Sequence, residues 1–102
     1  MTVIEERQIR LLMTDTHNAN PIFTQTEVGD FFTLEGDNVK RAAALGLETM
    51  ASNEVMVMKV ISLLDLSTNG AAESAALLAR AAILRETAIA DEAAGAFDYT
   101  PI

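Results

Sequence analysis

The sequence predicts an all-α protein: a small bundle of two long antiparallel helices, two short N-terminal helices and an extended C-terminal tail, forming one domain over residues 1–102. Three observations predict it. Apolar residues recur at helical spacing through most of the chain, alanine fills 12 of the 26 positions from 71 to 96, and Pro21 and Pro101 fall outside the helical stretches. A chain of 102 residues buries roughly 60 to 70% of the surface its unfolded form exposes, so association with other copies is a common source of added stability.

The first element is a short amphipathic helix over 3–14, where Val3, Ile9, Leu12 and Met13 alternate with Glu5, Glu6, Arg7 and Arg10. Glu6 and Arg10 stand one turn apart and suit an ion pair. The polar run from Asp15 to Pro21 is a loop, because Pro21 restricts Asn20 and cannot continue a helix. Thr24 and Glu27 then form a capping box for a second short helix over 25–34. Its Val28, Phe31, Phe32 and Leu34 are expected to press on the core, and the turn at Glu35–Asn38 stops it.

Asp37 or Asn38 opens a proline-free spine over 38–64, with Val39, Ala43, Met50, Val57, Ile61 and Leu64 on one face. Gly46 and the stretch 51–53 are the points where it bends or splits. A strand through 55–61 is the competing local reading, rejected because the helical stripe continues on both sides. The alanine-rich helix after it packs antiparallel on the spine, with Leu77, Leu84 and Ala88 on one edge and Leu78, Ala82 and Ile89 on another. Gly95 ends it.

Composition narrows the chemistry. The chain has no cysteine, which removes disulfides, thiolate metal sites and a cysteine nucleophile. Fifteen acids against seven scattered bases give a net charge of -8, which disfavours nucleic-acid binding. Neither a signal peptide nor an apolar run of membrane-spanning length is expected.

Asp65, Ser67, Asn69 and Gly70 have the opening rhythm of a calcium loop. The twelfth position, where such a loop needs a bidentate acid, is Ala76, so the stretch reads as a joint in which Asp65 closes the spine and Asn69 or Gly70 opens the next helix. His17, the one histidine, lies near Asp15 in a polar loop without an enzyme motif around it, and a solvated residue is the default. Met13, Met50, Met56 and Met58 fill gaps in a core short of aromatics, an adaptable groove being the other reading.

Asp91, Glu92 and Asp98 flank the C-terminal end of the last helix, where acids oppose the helix dipole, so a partner or repulsion from DNA would explain them, as would a solvated face. Phe97, Tyr99 and Ile102 are spaced as in a strand laid on a neighbour. Residues 95–102 are therefore expected to be a docking tail, with Phe97, Asp98, Tyr99, Pro101 and Ile102 as its partner-binding residues.

The succession of "NPIFTQTEV", of the stretch from Gly36 to Ala88 that contains "LLDLSTNG", and of "GAFDY" resembles head-to-tail connector, or adaptor, proteins encoded among the head genes of tailed phages, those of actinobacteria in particular. The resemblance covers roughly residues 18–99 and contains no catalytic signature. It implies a structural virion protein at the head-to-tail junction, present in host cytoplasm before assembly, that forms a ring of usually twelve copies beneath the portal protein. Its partners would be the portal, neighbouring copies and the next connector or tail protein. DNA would pass through the channel without specific binding, and no cofactor, metal, membrane or enzymatic activity is implied. Phe97 to Ile102 would grip the portal. The alternative is an acidic helical regulatory module that sequesters a basic partner or mimics DNA; an enzyme using His17 with nearby acids ranks well below both.

Overall fold

The computed structural model describes residues 1–16, 19–64 and 66–98, the last four of these by backbone alone, and they contain five helices and no strand. The all-α expectation holds, with changes in how the chain is divided. Helix α1 spans Val3–Met13, α2 Gln25–Leu34, α3 Val39–Ala51, α4 Glu54–Leu63 and α5 Gly70–Asp98.

Local chemistry sets the starts. Thr2 Oγ1 accepts from Glu5 N at 3.0 Å while Glu5 Oε1 accepts from Thr2 N at 2.7 Å, and Thr24 and Glu27 repeat this reciprocal box for α2. The predicted Glu6–Arg10 pair forms at 3.0 Å. Phe32 and Val28 are buried and Phe31 meets Phe23 edge-on with ring centres 4.8 Å apart, whereas Leu34 points out to solvent. Gly36 and Asp37 both take left-handed backbone (φ 70° and 59°), leaving Asn38 to cap α3 through Arg41 N.

The spine splits into two helices at 51–53, one of its two expected weak points. After Ala51 the chain turns at Ser52 and Asn53, and the Asn53 carboxamide oxygen accepts from Val55 N at 3.0 Å and Met56 N at 3.2 Å. That cap replaces the intrahelical bonds lost at the break, which is why a split here costs little. Gly46, the other suspected weak point, lies inside α3 and acts in packing: a Cβ there would overlap Met13 Sδ.

Helix α3 is the centre. Its Ala42, Ala43, Ala44, Gly46, Leu47 and Met50 are all buried, and α1, α2, α4 and α5 all pack on it. Small side chains on several sides allow neighbouring axes to approach closely. Ile9 and Met13 of α1, Val57 and Val60 of α4, and Leu77 and Ala81 of α5 close the core around it. Val3, expected on the apolar face of α1, is exposed instead.

Helix α5 is the one long element, 29 residues or about 43 Å, in a molecule 53 × 27 × 19 Å in extent. Asn69 caps its start through Ala72 N at 2.9 Å. It runs antiparallel to α3, since Ser74 Oγ donates to Ala51 O at one end and Arg41 bonds Glu92 at the other. Gly95 does not end it. Alanines at 93, 94 and 96 outweigh the roughly 1 kcal/mol cost of one internal glycine, and the first residue that forbids helix continuation is Pro101. Part of the segment expected to be an extended tail, residues 95–98, is therefore helical in backbone.

Candidate interaction surface

The inner edge of α5 falls as the periodicity predicts, with Leu77, Ala81 and Ala88 buried and Leu84 half-buried. The second edge does not pack. Leu78, Ile83 and Ile89 are 50 to 61% exposed, and Ala75, Ala79, Ala82, Ala90 and Ala93 lie exposed among them. At about 100° per residue, Ala79, Ala82, Ala90 and Ala93 fall within about 40° of Glu86, with Ile83 and Ile89 about 60° to either side. The outer face is thus an alanine floor between two isoleucine edges, with one acid at its middle.

A second uncovered face belongs to α1. Val3, Ile4 and Leu11 are 56 to 79% exposed and surround Arg7, with Val3 and Leu11 about 40° and Ile4 about 60° from it. Leu11 forms a ridge between two surface grooves. One, about 470 Å³, runs past Gln8, Leu12, Asn38, Val39, Lys40 and Asp91; the other, about 390 Å³ and largely charged, past Val3, Glu6, Arg7, Arg10, Asp15 and Thr16. Single exposed apolar residues are ordinary, but contiguous rows on two helices mark surfaces suited to contact.

The buried and half-buried charges serve the fold. Asp15, 2% exposed, accepts from Ile22 N at 2.7 Å, Phe23 N at 3.0 Å and Arg10 Nη1 at 2.7 Å. It closes the loop between α1 and α2, which is a different role from the acid-base one weighed for it beside His17. Arg85 reaches from α5 to both oxygens of Glu48 on α3, at 2.7 and 2.9 Å, and to Glu35 at the end of α2, at 3.0 Å. These bonds push the Arg85 guanidinium pKa up. The hydrogen bonds from Arg85 hold the Glu48 carboxyl below its ordinary range, its positive charge adding to that and partial burial opposing it. Lys40–Asp91 at 2.6 Å and Arg41–Glu92 at 2.8 Å give the acids late in α5 partners inside the chain.

Of the expected partner-binding residues, Phe97 and Asp98 lie on the last turn of α5 and Tyr99, Pro101 and Ile102 lie outside the described residues, as do His17 and Asp65. Met13 and Met50 are core, Met56 is half-buried and Met58 is exposed, so the methionines line no common groove. Among the described residues no three or more metal-capable side chains gather, and no helix is long and apolar enough to cross a membrane. Sequence reading missed the outer faces of α1 and α5. For α5 the signal is present: its apolar residues fall on two opposite faces, more than one packing face uses. Comparison with family models, curated proteins and solved structures finds no match to the chain.

Proposed function

We propose that this protein is a structural virion component, a head-to-tail connector that assembles as a ring beneath the portal, extends the DNA channel and joins capsid to tail. The observation that carries the reading is the outer face of α5, a row of exposed apolar side chains on the longest helix, which no other described residue covers. Covering it by a neighbouring copy removes apolar surface from water at about 25 cal/mol per Å², and repeating that contact around an axis closes a ring. The net charge of -8 suits a channel wall that DNA slides past without adhering. Phe97 to Ile102 would anchor the ring to the portal.

The alternative, an acidic module that imitates DNA or holds a basic partner, is less well supported because the long exposed face of α5 is apolar and not acidic. Peptide mass spectrometry on purified phage particles tests the choice. A fixed small ratio to the portal protein, near one for twelve copies, is expected; absence from particles would sink the connector reading and favour the regulatory one.

A further inference from the structure

We infer that copies of this chain associate head to tail, the outer face of α1 on one copy lying along the outer face of α5 on the next, with Arg7 against Glu86. The inference rests on the proposed function only in its premise that copies meet; it supplies the two faces and the pair that selects them.

Charge argues for it first. Arg10, Arg41 and Arg85 are bound to carboxylates within the chain and Arg80 bonds Thr14, whereas Arg7 and Glu86 make no hydrogen bond or ion pair among the described residues. Glu86 stands at the middle of an otherwise apolar face, and Arg7 stands among Val3, Ile4 and Leu11, with the internally paired Arg10 about 60° to its other side. Covering such a face desolvates its charge, which is unfavourable unless the covering surface brings the opposite charge. Two α5 faces together would bring only Glu86 to Glu86, and two α1 faces only Arg7 to Arg7. The α1 face on the α5 face brings Arg7 to Glu86.

Shape argues the same way. The alanine floor of α5 lets another helix approach closely, and Ile83 on one side with Leu78 and Ile89 on the other bound a shallow trough. Helix α1 presents the matching ridge of Val3, Ile4 and Leu11, and the two grooves beside Leu11 have room for the isoleucine edges. A self-paired dimer through either face would leave the other face of every copy in water. A heterologous contact uses both.

Helix α1 is only 11 residues, about 16 Å, so one such contact falls short of the roughly 800 Å² per partner of a stable interface. Single contacts are weak, and closure, in which every copy makes two, is what makes the assembly persist.

Charge exchange tests the pair. Sedimentation velocity on the purified chain up to about 1 mM would compare the native protein with Arg7→Glu, Glu86→Arg and the double exchange, circular dichroism confirming the fold of each. The native chain is expected to associate, each single variant to weaken association by roughly tenfold or more, and the double exchange to restore it to within about threefold. A native chain that stays monomeric, singles that associate like the native chain, or a double variant as weak as the singles would each overturn the inference. Because the chain has no cysteine, Arg7→Cys and Glu86→Cys variants give a second measurement. Under mild oxidation of the two variants mixed together, the disulfide joining one variant to the other should form faster than either variant cross-links to itself, and the reverse order overturns the arrangement. Association through these faces by a chain absent from particles would sink the connector reading alone; full incorporation of both single-charge variants into particles would sink this interface alone.

Discussion

Arg10 Nη1 donates a 2.7 Å hydrogen bond to Oδ2 of Asp15, and this pairing fastens the last turn of α1 to the loop after it. The same Arg10 nitrogen donates to Phe23 O at 2.9 Å, and Asp15 accepts from the backbone of Ile22 and Phe23. Two charged side chains thereby place Phe23, one of the largest fully buried residues, against the core. The arrangement is a folding device, with every oxygen of the carboxylate occupied.

Replacing Asp15 by alanine strands two buried N–H groups and leaves Arg10 without its buried acid, so a loss of about 3 kcal/mol is expected. Urea unfolding followed by circular dichroism measures it. A loss below about 0.5 kcal/mol, the range of ordinary surface substitutions, would show that the loop does not depend on this carboxylate.

Gly46 and Met13 form a second coupled pair. Alanine at 46 gains helix propensity but drives its Cβ into the Met13 side chain, which is fully buried, so a net loss of about 1 to 2 kcal/mol is expected. Met13→Ala alone costs about 2 to 3 kcal/mol through its cavity. Combined, the two should cost clearly less than their sum, because the new methyl occupies space the sulfur vacates; strict additivity would mean the overlap is relieved elsewhere.

Glu48 sets a pH dependence. Its folded-state pKa lies below the ordinary 4.5 because Arg85 hydrogen-bonds the carboxylate. A depressed acid contributes stability that is complete above its unfolded value and lost as pH falls through the folded one, so the loss sets in as the protein is acidified below about 4.5. Glu48→Gln should be less stable than the native chain at pH 7 and should converge toward it in acid. Parallel stability curves for the two proteins down to pH 2 would exclude this role for the Arg85 contact.

Removing residues 95–102 tests the proposed anchor. The core of the described residues is built between Ile9 and Ala88, so thermal unfolding of the truncated chain should match the native protein while binding to the portal weakens. Undiminished portal binding would take the tail out of the assembly.

Much of the fold was legible because local chemistry and apolar spacing agreed. Thr24 with Glu27 announced α2, and the alanine content of 71–96 announced α5. The division of the spine was half legible: Gly46 and 51–53 both stood out as weak points, and the tertiary arrangement, which lets α4 pack on α5, selects Asn53 as a cap while Gly46 stays inside α3. Gly95 misled, since glycine marks a helix end only where the next residues cannot stay helical. The candidate surface was the least legible part. Leu78 and Ile89 satisfy a helical stripe equally well whether that stripe faces the core or another molecule, and the spacing alone does not distinguish the two.

The cross-links between α5 and the rest of the molecule have a mechanical consequence. Arg85, Asp91 and Glu92 tie the helix sideways to Glu35, Glu48, Lys40 and Arg41, all toward its C-terminal half. A pull applied along the axis at the Asp98 end of α5 loads these ties together in shear, instead of peeling them apart one after another. Tension entering at that end is thus spread at once into α2 and α3, and the whole bundle resists it as one body.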